Sequence, residues 1–182
     1  MKYIGLVIGL ITLSTSVQAQ KYFTRTGEIS FFSSTSVEDI EAHNKTVTAV
    51  FVAESGAIQF SVTMKAFHFE KALMEEHFNE NYVESDEFPK STFKGKIVDM
   101  ASINLKKDGE YSSKVTGNLT IHGVTKEIST MATFKVKGEK VIGMAKIPVN
   151  PEDYKIEIPG VVREKIAKEL EVSITMNFVE KK

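Results

Sequence analysis

The fold of this chain is decided by the stretch Gly117-Asn-Leu-Thr-Ile-His-Gly-Val-Thr-Lys-Glu-Ile128. Before the turn, small or apolar residues alternate with polar ones. The small or apolar residues are Val115, Gly117, Leu119 and Ile121, and the polar residues are Lys114, Thr116, Asn118 and His122. Alternation with a period of two is typical of a β-strand that buries one face. The stretch therefore predicts a strand that runs into a tight turn.

A second stretch has the same design, His77-Phe-Asn-Glu-Asn-Tyr-Val-Glu-Ser-Asp-Glu-Phe-Pro-Lys-Ser-Thr-Phe-Lys-Gly-Lys-Ile97. Its acidic first half ends at Pro89, and the alternating residues that follow predict another half-buried strand. Similar patterns occur at residues 27–32, 46–53, 58–64, 126–136, 140–149 and 170–178. About eight strands with turn signals between them predict an all-β fold, an antiparallel eight-stranded barrel with one or two short helices.

Irregular segments are predicted at three places. Around Ala66 the apolar positions change phase, from Met64 to Phe67 and Phe69, which predicts a bulge or bend. Residues 70–81 have apolar side chains four apart, which predicts a short amphipathic helix, and residues 161–168 predict a second one. On the last strand, Val172, Ile174 and Met176 should point inward and Glu171, Ser173 and Thr175 outward.

The N-terminus has the features of a secretory signal peptide. Lys2 precedes an apolar run at residues 4–13, and Val17-Gln-Ala19 is a small-residue cleavage site. We expect a signal peptide at 1–19, one domain at 20–182, and a periplasmic or secreted protein. The chain has no cysteine, and its formal net charge of −1 gives no basic surface for nucleic acid. No later segment is apolar over the length of a transmembrane helix.

The two stretches, with residues 77–97 followed along the chain by residues 117–128, resemble the YceI-like family of lipid- or polyisoprenoid-binding proteins, and the resemblance runs from about Gly27 to Phe178. It implies a lipocalin-like barrel that sequesters or carries a long apolar chain, such as a polyisoprenoid, a quinone or a fatty-acyl chain. No cofactor is implied other than such a bound lipid. His77 matches the histidine that recurs in this block of the family.

On this resemblance the inward residues of the strands are expected to line an apolar lumen. The expected ligand-binding residues are Phe60, Val62, Met64, Leu119, Ile121, Ile174 and Met176. The helix at 70–81 and the loop after it should form a lid, in which the expected mouth residues are Leu73, Met74, His77, Phe78 and Tyr82. Many members carry an arginine near the recurring histidine, whereas this chain has an acidic run at residues 75–87. That acidity favours a neutral head group such as a quinone.

The alternatives follow from the same residues. Apolar alternation is also what a filled core looks like, and the chain would then be a secreted β-domain that acts through a protein partner. The four histidines, at 43, 68, 77 and 122, have no metal-ligand spacing, and His122 falls on the polar face of its strand. There is no nucleophile elbow or other catalytic constellation, so we expect no enzyme. A homodimer is left open.

Overall fold

The computed structural model describes residues 20–181, so the signal peptide expected at 1–19 lies outside the described residues. Within 20–181 the chain forms nine strands and one short α-helix. The strands are β1 (Lys21–Ser34), β2 (Asp39–Val52), β3 (Ala57–Thr63), β4 (His68–Phe69), β5 (Lys90–Ile97), β6 (Gly109–Ile121), β7 (Val124–Lys137), β8 (Lys140–Val149) and β9 (Leu170–Lys181).

Eight of these strands close into an antiparallel barrel. The order around the sheet is β1-β9-β8-β7-β6-β5-β3-β2, and β2 pairs back onto β1. The ninth, β4, is a two-residue strand that pairs with β2 at Ala42 and His43. Closure gives each of these eight strands a partner on both sides over at least part of its length, which protects most of the backbone hydrogen-bonding groups. The predicted all-β barrel is confirmed.

Several predicted boundaries were wrong. β1 and β2 are longer than the stretches predicted at 27–32 and 46–53, because their first halves carry polar residues that still pair in the sheet. The bend predicted near Ala66, in contrast, is confirmed and takes the form of a single 3₁₀ turn, Met64–Ala66. The helix predicted at 70–81 is α1 (Ala72–His77) followed by one π-helical turn, Phe78–Tyr82. The helix predicted at 161–168 is a 3₁₀ segment, Gly160–Lys165.

The barrel has two unlike ends. At the closed end, where β1 begins and β9 finishes, aromatic side chains fill the interior. Phe51 stacks on Tyr22 with ring centroids 4.6 Å apart and meets the edge of Phe178 at 4.9 Å. At the open end lie the β1–β2 and β6–β7 turns, α1 and the 3₁₀ segment Gly160–Lys165. The closed end therefore supplies much of the packed core.

Candidate functional site

A cavity of about 480 Å³ occupies the open half of the barrel. Its size falls in the range of sites for small organic ligands, about 300–1,000 Å³. Most of the lining side chains are aliphatic or aromatic, and they come from the strands, from α1 and from the chain after β8. The alternative interpretation of the sequence, a β-domain that acts through a protein partner, required a filled core. The interior is not completely filled.

Six of the seven predicted lumen residues line this cavity, namely Phe60, Val62, Met64, Leu119, Ile121 and Ile174. Met176 does not line this cavity, because its side chain is 3% exposed and packs in the core next to Gly27, one inward position below Ile174. The predicted inward set on β9 is present: Met176 is in the core, and Val172 and Ile174 line the cavity. Ser173 and Thr175 lie along a small outer groove.

The mouth segment, defined as residues 72–82, lies at the open end. All five predicted mouth residues contribute to the cavity lining: Leu73, Met74, His77, Phe78 and Tyr82. The π-helical turn is closed by the amide of Val83, which donates to the carbonyl of Phe78 at 2.9 Å. The extra residue in this turn continues the helix to Tyr82, so that Phe78 and Tyr82 both reach the cavity.

Aromatic packing holds the mouth segment to the barrel. The ring of Phe78 lies 5.6 Å from Phe31, 5.6 Å from Phe67 and 5.1 Å from Phe69, measured between centroids. Phe67 and Phe69 face inward because the 3₁₀ turn before them changes the phase of the strand. The contacts are tilted or edge-to-face, a favourable arrangement for aromatic rings. Because all four rings also line the cavity, the same cluster serves as anchor and wall.

The segment after β8 also contributes to the site, a role that was not predicted from the sequence. β7 pairs with β8 only from Ala132 to Lys137, so the rest of β7 has no partner on that side. The chain after β8 lies beside this gap, where Lys126 contacts Asp153 at 2.8 Å. It adds to the cavity wall the side chains of Pro151, Ile156, Ile158, Val162 and Ile166. The apolar residues Val162 and Ile166, four apart, could have indicated a buried face here, but their spacing led only to the prediction of a short helix at 161–168.

The charged side chains that line the cavity do not come from the acidic run at residues 75–87. They are Glu38, Lys71 and Lys165, with His77 nearby on the mouth segment. Lys71 donates to Glu38 at 2.7 Å, and this hydrogen bond lowers the pKa of the Glu38 carboxyl and raises the pKa of Lys71. The acidic residues at 75–87 do not line the cavity, so the reason for expecting a neutral head group is not supported. Burial raises the pKa of Tyr82, which keeps its hydroxyl protonated.

His122 is not on the polar face of a strand, as the alternation indicated. It is the first residue of the β6–β7 turn, with φ of 48°, followed by Gly123 with φ of 70°, a pair typical of tight hairpins. Its Nε2 lies 2.7 Å from a carboxylate oxygen of Glu84, and its Nδ1 lies 3.2 Å from the carbonyl of Tyr154. The ring also packs against Phe88. His122 therefore joins the loop after the mouth segment to the chain after β8.

The Glu38–Lys71 ion pair provides a testable tether for the mouth segment. We expect Glu38→Gln to speed hydrogen exchange of the backbone amides in residues 72–82, because Lys71, which precedes α1, loses its anchor on the β1–β2 turn. The same loss should occur in the unaltered protein as the pH falls below the ordinary glutamate pKa of about 4.3, since a carboxyl with a lowered pKa stabilises the folded state only while it is ionised.

The matched control is Glu76→Gln, which removes an exposed carboxylate from the same helix. Equal exchange in the two variants would show that the ion pair does not hold the segment.

Among the described residues, no three histidine, aspartate or glutamate side chains converge as a metal site would require. No helix within residues 20–181 is long and apolar enough to cross a membrane.

Solved structures share this fold. A polyisoprenoid-binding domain from Saccharophagus degradans superposes with a TM-score of 0.78 at 13% identity, over 90% of this chain and 100% of that chain. BcnA from Burkholderia cenocepacia gives a TM-score of 0.69 at 16% identity, over 83% of this chain and 95% of that one. A YceI protein from Campylobacter jejuni gives 0.55 at 15% identity, over 100% and 94% of the two chains. At these identities the similarity establishes the fold alone.

The matches to curated sequence relatives cover only part of each chain. A UPF0312 protein from Pseudomonas fluorescens is 42% identical over 65 residues, which are 32% of this chain and 34% of that protein. Another from Pseudomonas syringae pv. tomato is 27% identical over 136 residues, 71% of this chain and 65% of that protein. The chain thus spans from about a third to about two thirds of the length of these curated relatives. The model of the YceI-like domain, in contrast, matches residues 12–178, nearly the whole length. The chain belongs to the YceI-like family.

Proposed function

We propose that this protein binds the apolar tail of an isoprenoid or similar lipid in the open half of its barrel, and sequesters or carries it. The observation that supports the proposal is the cavity of about 480 Å³, whose wall is formed mainly by aliphatic and aromatic side chains. The S. degradans domain of the same fold is described as polyisoprenoid-binding. A quinone tail and a fatty-acyl chain have the same apolar character and would fit the same wall.

Burial of hydrocarbon is a sufficient source of affinity for such a ligand. Each methylene removed from water contributes about 0.8 kcal/mol, so a tail of even modest length can offset the cost of association. The methionine and phenylalanine side chains of the wall can adjust to a flexible chain. The function needs no covalent step, and the proposed role is that of a binding protein of the periplasm or the secreted fraction.

Head-group contacts would come from the rim of the cavity. Lys71, Lys165 and His77 lie there with Glu38, and Tyr82 adds a hydroxyl. These groups can hydrogen-bond to either a quinone carbonyl or an anionic head group, so the rim does not require a neutral lipid. Extraction of lipids from the protein purified from its own cells, followed by mass spectrometry, tests the proposal directly. Recovery of no lipid above the level of a control protein would contradict it.

The substitution Ile174→Trp tests the location of the site. Ile174 lines the cavity from β9, so the larger indole should enter open space and displace a tail. We expect the affinity for a prenol to fall at least about 100-fold, with little change in the melting temperature of the lipid-free protein. A titration with prenol and a thermal melt measure the two quantities.

Asn177→Trp is the matched control, because Asn177 is exposed on the outer face of the same strand. It should leave both the affinity and the melting temperature nearly unchanged. A clear loss of stability in lipid-free Ile174→Trp would mean that the cavity is filled by protein atoms in solution.

A further inference from the structure

The cavity ends inside the barrel, short of the closed end. On six strands the deepest lining residue is followed, two residues further toward the closed end, by a residue that does not line the cavity, whereas β2 contributes only Ile40. The deepest lining residues on the six strands are Ile29, Phe60, Ser91, Leu119, Ile147 and Ile174. Their successors are Gly27, Ile58, Phe93, Gly117, Ala145 and Met176.

Two side chains close the lower end of the cavity by lying over glycines. The ring of Phe93 lies over Gly95 and Gly117, which pair in register, and its Cζ would be 2.5 Å and 2.9 Å from a Cβ at each of them. Phe60 stacks on that ring, with centroids 4.9 Å apart. Met176 reaches toward Gly27, where its sulfur would be 2.4 Å from a Cβ. The glycines therefore leave room for Phe93 and Met176 at the end of the cavity.

Below this floor the interior is packed. Phe51, Phe134 and Phe178 are each at most 1% exposed, and Phe51 contacts both Tyr22 and Phe178. A tail cannot pass the floor without displacing these rings, and close-packed interiors resist such displacement. The closed half of the barrel is therefore not available as a continuation of the cavity.

We propose that the Phe60–Phe93 stack and Met176 form a floor that limits the length of lipid tail that the protein can bury; this inference rests on the proposed function. The cavity of about 480 Å³ ends at these side chains, so a tail that enters through the mouth meets them at its far end. Any further units of a longer tail stay outside the mouth and gain no burial.

The test is a series of prenols with the same hydroxyl head group and from two to eight isoprene units. Their dissociation constants are measured by displacement of 1-anilinonaphthalene-8-sulfonate from lipid-free protein. The affinity should rise at least about tenfold for each added unit until the tail reaches the floor, because each unit buries several methylenes, and should then level off at a break within the series. A steady rise through eight units would overturn the length limit and leave the proposed function intact. No binding at any length would overturn both.

Two variants move the floor in opposite directions. Phe60→Ala removes a ring from the cavity side of the floor. The tail length at which the affinity levels off should therefore increase by about one isoprene unit, since a phenyl ring and an isoprene unit are similar in size. Leu119→Phe adds a ring at the bottom of the cavity and should shorten that limiting tail length by about one isoprene unit. Phe51→Leu is the control, because it removes volume below the floor and should leave the break in place. An unchanged break in both Phe60→Ala and Leu119→Phe would overturn the role of the floor.

Discussion

Gly117→Ala should lower the free energy of unfolding by at least about 3 kcal/mol, at the upper end of the usual cost of overpacking. A Cβ at this position would lie 2.4 Å from the Cα of Gly95, 2.5 Å from the carbonyl oxygen of Lys94 and 2.9 Å from Cζ of Phe93. Two of these three neighbours are backbone atoms of the paired strand, which cannot move without opening the β5–β6 ladder. Urea denaturation followed by far-ultraviolet circular dichroism measures the change.

Gly160→Ala is the matched control for this substitution. Gly160 is exposed, and no heavy atom lies within 4 Å of the position of an added Cβ. Its stability should stay within about 0.5 kcal/mol of the unaltered protein. If the two variants were equally stable, the close approach of the β5 and β6 backbones would not be a feature of the protein in solution.

Phe51→Ala should cost about 3–5 kcal/mol, the usual range for removing a fully buried phenylalanine ring. Phe51 is 0% exposed and contacts Tyr22 and Phe178, so the site has little freedom to collapse around the void. The prenol affinity of the fraction that remains folded should not change, since Phe51 lies below the floor of the cavity. Chemical denaturation and a prenol titration on the same sample separate the two effects.

Val50→Ala serves as the comparison for Phe51→Ala. Val50 is the preceding residue on β2, points to the opposite face and is 37% exposed. Its loss should cost less than about 1 kcal/mol. A similar cost for both substitutions would contradict the assignment of the closed end as the part of the interior that stabilises the barrel.

The fold could be predicted because its main signal is local. Alternation along β6 and β9 fixes which face of each strand is buried, and a shift of one residue would expose every apolar side chain. The same logic found Phe60, Leu119 and Ile174 on the cavity wall. It could not tell Ile174 from Met176, because both are inward residues of one strand. They differ only in depth, since Ile174 lines the cavity and Met176 packs beside Gly27 of the neighbouring strand.

Other features escaped prediction because they depend on distant contacts. His122 continues the alternation of β6, yet it belongs to the turn, and its neighbours Glu84 and Tyr154 are far away in the sequence. The acidic run at 75–87 suggested a negative mouth, but the charged residues that line the cavity are Lys71, Lys165 and Glu38 instead. The direction in which a short helix presents its side chains is set by packing of Phe78 on Phe31, Phe67 and Phe69, not by its own composition.

The sequence by itself therefore determined an antiparallel barrel with one apolar interior, because period-two burial is written into each strand separately. Only the tertiary structure decided where that interior is filled and where it is open. The filling depends on Phe93 and Met176 extending over Gly95, Gly117 and Gly27, contacts that form only once strands distant in the sequence are paired. An apolar residue has the same alternation whether it meets another side chain or an empty space, so the pattern alone does not distinguish core from cavity.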